Sequence, residues 1–289
     1  MARAAANLAR SIKDRLLNLS RSEGRVFDVV LVRFALERLL YRLSQTRHRD
    51  RFVLKGGLLV TIWLDDDNRV TRDADFLGHG DASAAQLVAD FREIMAVEAD
   101  DGLAFDGDAL TATAIREQLE YGGTRLRSTA YLERTRIPIT IDIGFGDALA
   151  DAPQDLDYPT LLDLPAPHVR AYPAETVVAE KFHAMVNLGV LNGRMKDYYD
   201  LWALPRTLTI GDQALDAAIA ATFERRRTAI PASRPPGLSA DMIGSDDKQR
   251  QWRAYAASIG LDEVHLADVA DSIWDMVGPS CARLTGANK

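Results

Sequence analysis

Asp73 and Asp75 are the residues of this chain whose spacing points most directly to chemistry. They stand two apart in Arg72-Asp73-Ala74-Asp75-Phe76, and on a strand such a pair points to one face. Two carboxylates a few ångströms apart repel unless a cation sits between them. Upstream, Phe52-Val53-Leu54-Lys55 runs into Gly56-Gly57. Glycines carry no Cβ, so their backbone N–H groups can come close to an anion. A third acid, Asp142, lies in a segment where Ile137, Ile139, Ile141 and Ile143 alternate with Pro138, Thr140, Asp142 and Gly144. The isoleucines claim the core face and Asp142 projects from the other. An acid in so apolar a strand suits a face that lines a cleft. Carboxylate oxygens are hard ligands for Mg²⁺, which keeps several waters and bridges substrate phosphates. The set suits metal-assisted phosphoryl or nucleotidyl transfer. Asp73 and Asp75 would hold the metal. Asp142 either completes the metal site or takes the proton from an incoming hydroxyl.

The elements that must position these groups can be read from the pattern. Residues 52–64 start as a strand or a strand-to-helix turn, and Val70–Leu77 reads as the strand that carries the acid pair. Short β-like runs follow at Leu103–Phe105, Thr111–Ile115, Thr124–Tyr131 and Ile137–Phe145. Two amphipathic helices precede them over residues 8–47, broken at Gly24, with Arg38 and Arg42 on the far, positive face of the second. Residues 83–98 form another helix, with Ser83 as N-cap. Asp65-Asp66-Asp67-Asn68 reads as a polar turn rather than a metal site. Residues 151–170, with four prolines, read as a connecting segment. Helices fill the remainder: Ala174–Val190, Met195–Leu204 closed by Pro205, then 212–228, 246–259 and 262–277. The expectation is an α/β (α+β) chain of two lobes, 1–165 and 166–289.

The bulk composition excludes several classes. The chain has 289 residues, 47% hydrophobic and 27% charged, as ordinary globular proteins do. A net charge of −7 does not suit a general polyanion binder, so any nucleic-acid contact needs a local basic patch. Arg225-Arg226-Arg227 with Arg125, Arg127, Lys181, Arg194 and Lys196 is one candidate for such a patch, although a basic helix end is usually only solvated. A single cysteine, Cys281, forms no intramolecular disulfide, and no apolar run reaches membrane-span length. These features suggest a cytoplasmic protein. The five histidines show no paired metal-ligand spacing.

A second group of residues lies in the helical half. Lys181 sits on an apolar helix beside Phe182 and Met185, where a lysine is either ion-paired, solvated by snorkelling, or functional. Asp197 and Asp200 are one turn apart, and the simplest account of Asp200 is a local pair with Lys196. Taken in order, Lys55-Gly56-Gly57, Arg69-x-Thr71-x-Asp73-x-Asp75, Asp142-Ile143-Gly144-Phe145-Gly146-Asp147, Tyr172-Pro173-x-Glu175 with Ala179-Glu180-Lys181, and Arg194-Met195-Lys196-Asp197-x-x-Asp200-Leu201 resemble the AbiEii/AbiGii toxin family. Phe223-Glu224-Arg225-Arg226 and Gln251-Trp252-Arg253 are similar to that family's C-terminal segment.

The resemblance implies a polymerase-β-like nucleotidyltransferase lobe with a small mixed sheet, and a helical lobe contributing to the active-site cleft. It implies Mg²⁺ and a nucleoside triphosphate. It implies a toxin, neutralised by an antitoxin encoded nearby, that transfers a nucleoside monophosphate to the 3′ end of RNA, transfer RNA foremost. Residue by residue, it makes Asp73 and Asp75 metal ligands, Gly56 and Gly57 the phosphate turn, Lys181 the triphosphate contact and Asp197 a late essential acid. Asp142 or Asp197 would orient or deprotonate the acceptor. One position departs from the pattern: Leu58 stands where many members carry Ser or Thr. The turn would then bind through its N–H groups alone, or with Lys55, Arg72 or Lys181. Two other readings compete: transfer to a protein or small molecule, and a catalytically idle binding module.

Overall fold

The computed structural model describes residues 2–64, 69–115 and 122–286, with side chains from residue 7 onward. The polar run 65–68 lies outside the described residues. The chain divides into two compact units. The first comprises residues 1–62, 70–146 and 153–171, and the second 63–69, 147–152 and 172–289.

In the first unit, α1 (Ala2–Ser22) and α2 (Phe27–Ser44) are followed by β1 (Phe52–Lys55), α3 (Gly57–Leu64), β2 (Ala74–Gly78) and α4 (Ala84–Met95). Then come β3 (Leu103–Phe105), β4 (Thr111–Ile115), β5 (Gly123–Leu132), β6 (Thr135–Phe145), β7 (Gln154–Asp157) and β8 (His168–Ala171). Among the described residues these strands form one mixed sheet in the order β3-β5-β6-β2-β1-β8-β7, with β4 paired to β5. Its centre sets the site. β1 runs antiparallel to β2, with Lys55 opposite Asp75. β2 runs parallel to β6, with Asp75 opposite Asp142. The β6 isoleucines are at most 1% exposed, as their alternation predicts. Pro138 lies outside the part of β6 that pairs with β2, so its missing N–H interrupts no ladder there. Ser83 caps α4, accepting from the Gln86 N–H, and Phe91 of that helix packs its ring 4.9 Å from Phe52 and 6.2 Å from Phe76.

Three sequence expectations are corrected. The proline-rich segment is not only a connector, because β7 and β8 pair antiparallel within it and β8 joins β1. Its prolines flank these short strands rather than interrupt them, which is where strands tolerate proline. Arg38 and Arg42 are not on a solvated face: they are 1% and 2% exposed. Arg38 Nε donates to Asp101 Oδ2 at 3.1 Å, and Arg42 donates to both Asp101 oxygens. Burial of two guanidiniums is sustained because a buried carboxylate accepts from both. The acid strand is also shorter than expected, starting at Ala74, so Asp73 lies just before it.

The second unit is helical. It holds α5 (Ala174–Leu188), α6 (Met195–Thr207), α7 (Asp212–Arg225), α8 (Ala240–Gly244), α9 (Asp246–Ser258) and α10 (Leu266–Thr285). α5 packs on α7, and α10 on both α6 and α7. Phe182 and Phe223 meet at 5.7 Å between ring centroids, and Trp252 is buried with its Nε1–H donating to the Val264 carbonyl. α6 continues past Pro205, and α10 contains Pro279 and runs beyond the expected residue 277. Each proline removes one backbone donor, and packing of the long apolar face of α10 outweighs that loss.

Candidate active site

The turn after β1 is built around one glycine. Gly56 has φ +68°, a backbone conformation that costs other residues about 1–2 kcal/mol. A Cβ on Gly56 would lie 2.1 Å from Asp75 Oδ2 and 2.7 Å from its Cγ. The turn is therefore shaped to the Asp75 carboxylate. The Gly57 N–H points at Asp75 Oδ2 over 3.4 Å, a long contact. Leu58 is 1% exposed. At this position the chain places an apolar side chain in the core rather than a hydroxyl at the turn. Thr61 Oγ1, one turn on, donates to the Gly57 carbonyl.

The acids converge as the register requires. Neighbouring residues on adjacent strands share a face, so Asp75 and Asp142 meet, and Asp73 joins them from the strand's entry. One oxygen from each of Asp73, Asp75 and Asp142 lies within 4.8 Å of the others. Thr71 Oγ1 donates to Asp73 Oδ1 at 2.9 Å and fixes that side chain. Burial, then Asp73, push the Asp75 carboxyl up to about 6; Lys55 counters them and Asp142 adds to the rise. Crowded carboxylates that are costly to ionise are stabilised by a divalent cation. A set of hard oxygen donors fits Mg²⁺ in chemical type.

Asp142 has a further partner that sequence reasoning did not pair with it. Arg125, its Cα partner on β5, donates Nε to Oδ1 at 2.7 Å and Nη2 to Oδ2 at 2.5 Å. Arg72 forms an exposed ion pair with Asp28 at 2.9 Å. The first unit thus brings together Lys55, Gly56, Gly57, Asp73, Asp75 and Asp142.

Lys181 and Asp197 belong to the second unit, where they form part of a buried network. Lys181 Nζ lies 2.5 Å from Asp197 Oδ1 and 2.8 Å from Asp200 Oδ2. Arg69 forks onto Asp200, with both contacts at 2.7 Å, and Arg194 reaches Asp197 at 3.3 Å. Asp200 is fully buried, and Arg69 and Lys181 are partners of its carboxylate. Burial opposes the Lys181 charge, but Asp197 and Asp200 outweigh it and carry the ammonium up to about 12. Burial likewise opposes the Asp200 charge, yet Lys181 and Arg69 hold that carboxyl below its ordinary range. The roles of Arg69 and Asp200 were not legible in the sequence. Both stand in the motif segments of the sequence, but their pairing with each other and with Lys181 is a long-range contact. Of the residues considered for a basic patch, Arg125 is committed to Asp142, Lys181 to Asp197 and Asp200, and Arg226 to Glu180.

A family model described as nucleotidyl transferase AbiEii toxin, type IV toxin–antitoxin system, matches residues 38–275. The chain belongs to this family. It is accordingly a nucleotidyltransferase toxin that uses a nucleoside triphosphate and has an antitoxin as partner. The nucleotidyltransferase toxin MenT4 from Mycobacterium tuberculosis H37Rv has a similar structure, with TM-score 0.54 and 18% identity, over 93% of this chain and 98% of that one. At that identity the likeness speaks for the fold. A nucleotidyltransferase candidate from H. pylori aligns over 89% of this chain and 96% of its own, at 13% identity and TM-score 0.45. Among curated protein sequences none matches. No described helix is long and apolar enough to cross a membrane.

Proposed function

We propose that this family member is a Mg²⁺-dependent enzyme that transfers a nucleoside monophosphate to the 3′-terminal hydroxyl of an RNA, transfer RNA foremost. The observation that carries the metal assignment is the meeting of Asp73, Asp75 and Asp142 within 4.8 Å. In the reaction the acceptor oxygen forms a bond to the α-phosphorus, the bond to the leaving pyrophosphate breaks, and the hydroxyl proton passes to a carboxylate or to water. Mg²⁺, when bound, would polarise the phosphate oxygens and neutralise the charge on the leaving group. Asp73, Asp75 and Asp142 would hold it. Thr71 keeps Asp73 oriented, and Gly56 leaves the room Asp75 needs. The Gly56-Gly57 turn and Lys55, opposite Asp75, are the groups of this unit assigned to the triphosphate. Asp142, which accepts two bonds from Arg125, would serve as a ligand or as the base for the acceptor hydroxyl. Lys181 as triphosphate contact and Asp197 as a late acid follow the family resemblance. Two carboxylates fix the Lys181 ammonium, and a fixed charge is what electrostatic stabilisation of a phosphate requires.

The test is a labelling reaction with purified protein, Mg²⁺, total RNA and one labelled triphosphate at a time. A labelled small RNA is expected, lost with chelator and lost in Asp73→Asn. Label that survives ribonuclease would move the acceptor to a protein or small molecule. Absence of label, with no calorimetric heat from any triphosphate and Mg²⁺, would leave an idle binding module.

A further inference from the structure

The three carboxylates are not equivalent. Asp73 accepts from a neutral hydroxyl, that of Thr71, and Asp75 from the Gly57 N–H over a long contact. Asp142 alone of the three carries a guanidinium fork, with one donor on each oxygen. The β5/β6 register places Arg125 directly opposite Asp142, so the pair is built into the sheet. The Asp142 side chain is 16% exposed and that of Arg125 is 34% exposed. The guanidinium therefore has a path away from the carboxylate without unpacking the core. A divalent cation arriving at Asp142 meets a fixed positive charge on the same carboxylate, and two cations at that range repel.

We propose that Arg125 is a positioning residue that latches Asp142 in the metal-free protein and competes with a divalent cation for it. This rests on the three-acid metal site of the previous section. Asp73 and Asp75 receive the cation first, and Asp142 joins once Arg125 lets go. The latch serves two ends. It balances one of three crowded negative charges when no metal is present. It also frees a planar donor fork, suited to phosphate oxygens, at the moment a metal-bound triphosphate arrives.

The experiment measures Mn²⁺ binding by calorimetry to the full chain without nucleotide, so catalysis plays no part in the readout. Arg125→Gln should bind Mn²⁺ about five- to tenfold tighter than wild type, the scale of one net intramolecular hydrogen bond. Arg125→Lys, which keeps a charge but loses the fork, should fall between them. The gain should vanish when Asp142→Asn is combined with either variant, and Asp73→Asn should weaken binding throughout. A merely structural Arg125 would leave affinity unchanged or lower it, and equal or weaker binding by Arg125→Gln overturns the latch. If that variant does not fold, as judged by circular dichroism, the same criterion applies to Arg125→Lys. If no protein in the series binds Mn²⁺, the three-acid site fails, and the latch with it. If wild type binds and the Arg125 variants gain nothing, only the latch fails.

Discussion

Replacing Gly56 by Ala should disable the site through geometry rather than charge. Two costs add. The first is conformational: φ +68° in a residue with a Cβ costs about 1–2 kcal/mol. The second is steric: the new Cβ would lie 2.1 Å from Asp75 Oδ2, 2.7 Å from Cγ and 2.8 Å from Cβ. Asp75 is anchored by its place on β2, so relief requires its carboxylate to swing by about 1 Å or leave its rotamer, at about 0.5–1.5 kcal/mol more. The total loss of stability is about 1.5–3.5 kcal/mol. A misplacement of that size in a reacting assembly costs roughly a hundredfold in rate. Gly24→Ala is the matched control. Gly24 has φ +66° with nothing within 4 Å of its added Cβ, so it bears the backbone cost without the clash. Urea unfolding and Mn²⁺ calorimetry would be run on both variants, followed by nucleotidyl transfer at saturating metal. Gly24→Ala should lose about 1–2 kcal/mol and keep wild-type metal affinity. Gly56→Ala should lose at least tenfold in metal affinity and about a hundredfold in rate. Metal affinity and rate within twofold of wild type in Gly56→Ala would refute the claim that the turn is shaped to Asp75.

Further outcomes follow from buried charge. Asp200→Ala leaves Arg69 and Lys181 without the carboxylate they share, so the protein should lose about 3–5 kcal/mol on urea unfolding. Asp200→Asn should lose less, because it keeps a hydrogen-bonding oxygen. Glu37 supplies a pH dependence. Burial pushes its carboxyl up to about 7, against the Leu161 N–H and Arg38 that favour its charge. A raised carboxylate pKa means the folded state holds a proton that the unfolded state has released. Stability therefore falls as pH rises from about 4.5 to about 7, and the loss is complete above that. Glu37→Gln should match wild type at pH 4 and exceed it by about 1–3 kcal/mol at pH 8. An equal difference at both pH values would show that Glu37 is not the titrating group.

Much of the local structure was legible because periodicity is a property of neighbouring residues. The isoleucine alternation gave β6, the apolar stripe gave α5, and Ser83 marked the start of α4. The D-x-D spacing and the glycine pair identified the chemistry, and the ordered motifs identified the family. Errors arose where a local signal was outweighed by distant packing. Prolines around residues 151–170 suggested a connector, yet they border two short strands, of which β7 forms the edge of the sheet. Arg38 and Arg42 looked like a solvated face, yet Asp101, about sixty residues away, draws both inward. Asp200 suggested a local partner at Lys196, one turn away, but the fork on its carboxylate comes from Arg69, 131 residues upstream.

By itself, the sequence determined which groups could do chemistry here: three aspartates, a glycine pair, and an amphipathic scaffold around them. Whether those groups meet was decided only by tertiary structure. Strand register is a long-range choice, and it alone sets Asp75 beside Asp142 and Arg125 across from it. A carboxylate's charge and availability depend on what surrounds it in space. The sequence shows Asp142 as an acid on a strand, whereas the fold sets it beside Asp73 and Asp75 with a guanidinium already in place.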